Sequence, residues 1–359
     1  MRRQRRLRFK MNIIRSLGDA LRRMQVQGLL FAILLLGIIL SFASSSFLTG
    51  TNIINILYQS TILAVVAIGQ TFVILVGGID LSVGSLIALS SVLSVGLAVK
   101  LGLPVWLSIL IALLVGVAFG IFHGLAVTKL KMPPLIVTLA SLSLASGLAY
   151  VFSGGKNIIP VPDIFETVGN AQLFGDKIPV FIPFALAVAL ISYFVLSKTS
   201  FGRMIYAVGG NKTASRLAGI PADRIIIIAF VISGLSAVIG GLMMTARLQS
   251  GSPIIGVGME LTVIAAAVIG GTSLFGGQGN VIGTLLGVIL LTLASNAIVL
   301  LAIPPNYDKV FTGVVIALAA ALDIYRQRKS TRNMTRLHKH ASNRSVLPDK
   351  KQATKEQGA

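Results

Sequence analysis

Apolar runs of about 20 residues, separated by short polar breaks, recur along most of this chain, a spacing that predicts membrane-crossing helices. They fall at Gly28–Leu48, Ile56–Val76, Leu81–Val99, Val105–Val127, Leu135–Phe152, Pro179–Leu196, Ile225–Ala246, Glu260–Gly271, Val281–Leu301 and Val310–Ile324. The expectation is an all-α, polytopic membrane protein of about ten spans. The eighth run is short and glycine-rich at its exit, so it reads as broken or re-entrant. The first is too long for the apolar core of a signal peptide, and no clean small-residue cleavage site follows it. One segment breaks the pattern. Lys198–Arg224 is polar, basic and punctuated by Gly202, Gly209, Gly210 and Gly219, too ordered in pattern for a slack linker.

Composition narrows the class. Of 359 residues 12% are charged, half the roughly 25% of soluble domains, and the mean hydropathy is +0.88. Cysteine is absent, which excludes disulfides, thiol nucleophiles and thiolate metal sites. His338 and His340 lie in the polar tail, away from His123, so no multi-histidine site is expected in the membrane and no metal or cofactor is assigned. The net charge of +20 sits mostly at the ends: 9 Lys/Arg in residues 1–27 and 10 in 324–359, with 12 between. Basic ends around apolar spans are a signature of cytoplasmic retention and attraction to anionic lipids, and they exclude a nucleic-acid partner. With the N-terminus inside, 26 of the 31 basic residues fall on the cytoplasmic side, and the internal loops alone divide 7 to 5 the same way. The topology expected is N-in and C-in, in a cytoplasmic membrane. The domain plan is a basic N-terminal segment (1–27), a transmembrane domain (28–325, with the 198–224 loop cytoplasmic) and a basic tail (326–359) expected to be disordered.

Candidate chemistry is sparse. Gly210-Asn211-Lys212-Thr213 resembles the end of a phosphate-binding loop, but that motif needs glycines where Asn211 and Tyr206 stand, so the chain has no ATPase of its own. No nucleophile, base and metal-ligand constellation exists, so no catalytic residue is assigned. Gly77, Gly78, Asp80 and Ser82 lie in GGIDLSVGS, where Asp80 caps the third helix, forms part of a gate or path, or does both. A second glycine-rich turn, Gly270–Asn280, falls on the same side, favouring tight packing of small residues. Glu260 and Asn296 could each hydrogen-bond a neutral polyol or satisfy a neighbouring backbone group. His123 reads as an interfacial or packing residue, and Asp323 as a partner for Arg326 near the last helix end. Loop Ser153–Ile178 reads as a solvated loop or a docking place for a soluble partner. No relay of ionisable groups crosses the spans, which argues against an ion-coupled transporter or channel, the alternative kept open.

IGQTFVILVGGIDLSVGS (68–85), GRMIYAVGGNKTASRLAGI (202–220) and ELTVIAAAVIGGTSLFGGQGNVIGT (260–284) closely resemble the ribose-type permease subunits of bacterial ATP-binding-cassette sugar importers, over roughly residues 28–325. The resemblance implies a permease without ATPase activity. It also implies as partners a second permease copy or paralogue, ATPase subunits that use the ATP, an extracytoplasmic solute-binding protein and a sugar-like substrate, with pentoses such as ribose favoured. It assigns Gly202, Tyr206, Gly209, Gly210, Asn211, Ala214, Arg216, Gly219 and Ile220 to the surface that meets the ATPase. Read physically, short helices separated at Gly209-Gly210 and ended by Gly219 and Pro221 would present Tyr206, Leu217 and Ile220 to a groove. One departure is visible: members of the family carry an aspartate two residues after the glutamate, where this chain has Thr262.

Overall fold

The computed structural model describes residues 26–173, 178–304, 306–318 and 320–321. The chain forms two compact units, residues 1–316 and 317–359, and the elements named here lie in the first. The expected pairing of Asp323 with Arg326, the basic tail and nearly all of the N-terminal segment fall outside the described residues.

Helices α1 (Val26–Ala43), α2 (Gly50–Leu75), α3 (Val83–Leu101), α4 (Val105–Thr128), α5 (Pro134–Ser153), α7 (Phe181–Lys198), α10 (Ala222–Leu248) and α12 (Val281–Leu300) are each long and apolar enough to cross a membrane. They match the first seven and the ninth expected spans, with ends shifted by up to six residues. The eighth run becomes α11 (Met259–Ile269), only 11 residues. At 1.5 Å per residue that is about 16 Å, half the hydrocarbon core. It follows an irregular, largely buried stretch, 250–258, so this run is a half-helix as its glycines suggested. Within the first unit the tenth run is helical over 307–316.

Burial sorts the helices into a centre and a shell. From Ser60 to Leu75 every residue of α2 is buried, as expected for a helix apolar all round. Around it pack α10, α7, α11 and α12, while α3 and α4 lean on α10. Shell helices bury only a line of mostly small residues spaced one turn apart. In α4 the line includes Ser108, Ala112, Gly116, Gly120 and Gly124, and in α7 it is Phe181, Ala185, Ala189, Ser192 and Leu196. Large side chains on the opposite faces, among them Leu114, Leu148, Leu190 and Phe194, are exposed and suit lipid. Without a hydrophobic drive between helices in a bilayer, close approach over small residues is what holds such a bundle.

The 153–178 loop is more than a solvated connection. It carries a short helix, α6 (Asp163–Asn170), and a two-residue strand pair, β1 (Gln172–Leu173) with β2 (Ile178–Pro179). Phe165 of α6 is buried in the bundle core. Tyr58 donates to the Gly169 carbonyl at 3.3 Å, and the Arg247 guanidinium lies 4.5 Å over the Tyr58 ring, so the loop clasps the ends of α2 and α10.

Candidate functional site

Helix α2 ends at a glycine pair. Gly77, at φ +80°, donates to Ile74 and Gly78 donates to Val73, both at 2.9 Å, which stops the helix and turns the chain back. The extended residues that follow are pinned from four helices. The Gln70 side-chain amide, in the orientation that satisfies both groups, donates to the Asp80 carbonyl at 3.2 Å and accepts from its N–H at 3.1 Å. Thr138 of α5 donates to the Ile79 carbonyl at 3.0 Å. The Asp80 carboxylate is fully buried and accepts from the Ser82 N–H (3.0 Å), the Ser82 hydroxyl (2.6 Å) and the Ser233 hydroxyl of α10 (2.8 Å). From α4, the Nδ1 of buried His123 stands 4.0 Å away, its ring set among Phe119, Phe122 and Phe230.

These contacts revise two expectations. Helix α3 starts at Val83 after Ser82, and Asp80 bonds none of its first-turn amides, so helix capping is not the role of this carboxylate. It ties α10 to the connection between α2 and α3. His123 is a packing residue as expected, but it lies inside the bundle, not at an interface.

The 198–224 segment folds as two short helices. Thr199 caps α8 (Ser200–Gly210) by accepting from Gly202 N–H at 3.2 Å. Asn211 caps α9 (Lys212–Leu217) by accepting from Ala214 N–H at 2.9 Å. The break between them is therefore at Asn211, one residue past the expected glycine pair, because Gly209 and Gly210 stay helical and the capping side chain supplies the stop. Gly209 serves a different purpose. A Cβ there would sit 1.8 Å from the Leu75 carbonyl oxygen and 2.5 Å from the Gly277 nitrogen. Gly277, at φ +72°, donates to that same Leu75 carbonyl at 2.9 Å, and Tyr206 donates to the Gly279 carbonyl at 2.9 Å. Three glycine-bearing segments, 75–78, 209–210 and 276–279, thus meet backbone to backbone.

Tyr206 accordingly points into this junction and does not stand on the outer face expected for it, and Ile220 is half-buried in the core below. Leu217 is 86% exposed, with Gly210, Asn211, Ala214, Ala218 and Gly219 exposed around it. Gly202 is buried against the carbonyls of Val195 and Leu196. Arg216 bonds Asp223 at the start of α10, which Lys129 and Lys212 also approach at 3.9 Å. The Lys212 ammonium is pushed below its ordinary pKa by partial burial and then by Arg216, with Asp223 opposing. Arg216 thus fastens α9 to the bundle while half of it stays open to solvent.

Comparison with known proteins decides the family. A family model described as "Branched-chain amino acid transport system / permease component" matches residues 52–320. The ribose import permease protein RbsC of Haemophilus influenzae is 38% identical over 298 residues, covering 82% of this chain and 91% of that protein. The chain belongs to the ribose-type permease family. The D-allose transport system permease protein AlsC of Escherichia coli is 36% identical (79% of this chain, 86% of that one). The L-arabinose permease protein AraH of Azospirillum brasilense is 34% identical (88% and 92%). No solved structure matches. The chain is a multi-pass inner-membrane permease, a transport component and not an enzyme.

In this permease the remaining expected residues lie apart from the junction. The Glu260 carboxylate accepts from Gly258 N–H at 3.1 Å at the head of α11, and it presses on Gly84 in the first turn of α3. Asn296 of α12 forms a reciprocal amide pair with Asn52 of α2, at 2.8 and 3.2 Å. Two cavities of about 280 and 270 Å³ are lined by apolar side chains and include neither residue. Gln70, Ser233 and Asn52 were not singled out from sequence. Their signal was a polar side chain inside an apolar run, common to many residues that merely bond their own helix.

Proposed function

We propose that this permease carries a neutral sugar across the membrane, delivered by an extracytoplasmic binding protein and driven by ATP hydrolysis in a partner ATPase. The ATPase docks on the exposed face of α8 and α9, around Leu217, Ala214 and Gly210. The observation that carries the reading is the three-segment junction. Gly209 and Tyr206 touch the end of α2 and the turn before α12 directly, so a push on α8–α9 reaches two central helices without a compliant loop between. Positive-inside counting supports a cytoplasmic position for that face.

The chain works as one half of a pair, with a second copy or a close paralogue. ATP-driven closure of the ATPases moves α8–α9. The junction passes that displacement to α2 and α12, and the bundle repacks between two states that open to opposite sides. A neutral cargo fits the site chemistry: Asp80 is occupied by hydroxyl and amide donors, and Glu260 by its own helix head, so neither offers a bare charge. The relatives named for ribose, D-allose and L-arabinose all carry neutral polyhydroxylated rings, and a pentose is favoured.

Uptake into liposomes tests the reading. Accumulation of labelled sugar is expected only when the ATPase, ATP and binding protein are present. Uptake by this chain alone under a sodium or proton gradient would establish the ion-coupled alternative instead.

A further inference from the structure

Helix α4 packs on α10 and helix α7 on α2, and between α4 and α7 runs a groove with α10 as its floor. Helix α6 roofs the groove at one end. The cavity so formed has a volume of about 270 Å³, bounded by Ile109 of α4, Phe181 and Phe184 of α7, Ile239 of α10, and Ile164 and Val168 of α6. Every side chain that lines it is apolar. An apolar cavity of about 150 Å³ admits benzene, so this one has room for a longer piece of hydrocarbon.

Its position matches the outer part of a bilayer's hydrocarbon. The lining comes from the first turns of α4 and α7 and the last turns of α10, at the end of the bundle away from α8 and α9. Trp106, the chain's one tryptophan, stands 67% exposed at the head of α4, where an aromatic marks the boundary between membrane and water. Ile109 is three residues further in, about 4.5 Å. Helix α6 is amphipathic: Asp163 and Glu166 are exposed while Phe165 is buried, the pattern of a helix lying in the plane of the interface. Phe184 and Ile164 line the cavity and are also exposed, so it opens onto the surface that faces lipid. A cation stands beside it. Ala246 of the lining is followed by exposed Arg247, whose guanidinium lies over Tyr58, and the Tyr58 ring meets Phe181 of the cavity wall edge-on at 5.4 Å. Arg247 forms no ion pair with a carboxylate among the described residues.

We propose that the α4–α7 groove under α6 is a phospholipid site, with one acyl chain in the cavity and the phosphate of the same lipid on Arg247. The groove is continuous with the apolar shell that already meets acyl chains, and the fork of guanidinium donors fits a phosphate. The bound chain supports α6 from beneath. Because Tyr58 donates to the Gly169 carbonyl and Gln249 to the Phe165 carbonyl at 3.2 Å, α6 in turn holds the ends of α2 and α10. The site stands on the bundle and its membrane setting, whatever solute the permease carries.

The test uses the full chain. Native mass spectrometry of the protein purified in mild detergent is expected to show one retained phospholipid per chain. Ile164→Trp, which plugs the cavity from the exposed edge of α6, is expected to release it. Arg247→Gln leaves the cavity open and is expected to weaken rebinding of added phosphatidylglycerol about tenfold, the effect of one charge-assisted contact. In liposomes, Trp106→Phe with Phe184→Trp places a single fluorescent reporter at the cavity rim, and phospholipid brominated along its acyl chains is expected to quench it. Trp106→Phe with Leu190→Trp is the control on the open face of α7, where Leu190 is exposed. Equal retention by the unaltered protein and Ile164→Trp, none in either included, overturns the proposal. So does a reporter at 184 that stays unquenched while the one at 190 is quenched, since protein, such as a second copy of the chain, then covers the groove.

Discussion

At the scale of single residues, the glycines at 209 and 210 look alike in sequence and have opposite surroundings. Gly209 lies where any side chain would overlap the Leu75 carbonyl and the Gly277 backbone, neither of which can swing aside. Gly210→Ala meets open space within a helix, where alanine is the better residue by up to about 1 kcal/mol. Thermal denaturation in detergent is expected to show Gly210→Ala at or above the unaltered protein. Gly209→Ala should be lowered by about 3 kcal/mol, the upper end of ordinary overpacking. Asp80 offers a second contrast. Asp80→Ala leaves the Ser82 and Ser233 hydroxyls buried without an acceptor, at about 1–3 kcal/mol each, whereas Asp80→Asn keeps an acceptor oxygen and should lose less in the same assay. The glycine-rich wording of both turns was visible in sequence. Which glycine faces a carbonyl was not, because that depends on helices more than 100 residues apart in the chain.

At the scale of elements, the apolar period located all eight long helices among the described residues, since a span's length is set by the bilayer and needs no tertiary information. Half-helix α11 was foreshadowed by its glycines. The break between α8 and α9 was misplaced because Asn211 was read as part of a surface motif, when its side chain is a cap. Asn211→Ala should cost α9 about 1 kcal/mol, seen as faster amide exchange in residues 212–217 with the rest of the bundle unaffected. The exposed face of the same two helices gives a sharper expectation. Leu217 stands free of the bundle, so Leu217→Asp should leave the melting temperature unchanged and abolish co-purification of the ATPase. Retained co-purification would remove Leu217 from the docking face.

For the whole molecule, composition and spacing were enough to recognise a membrane bundle, and three separated motifs were enough for the family. The wiring was not legible. Gln70, Thr138, His123 and Ser233 converge on one connection from four helices, and nothing in their local sequence announces it. That convergence fixes the 77–82 segment between the junction and α3 through contacts from four helices. In the proposed importer, ATP hydrolysis is felt at the contact of α8 with the two glycine turns. Tyr206→Phe tests it with little change of shape, because it removes the hydroxyl that donates to the Gly279 carbonyl and leaves the exposed Leu217 face of α9 in place. The measurement is sugar taken up per ATP hydrolysed by the reconstituted importer. A roughly fivefold fall in that ratio is expected, about the effect of one hydrogen bond, with ATPase association preserved. An unchanged ratio would contradict the account.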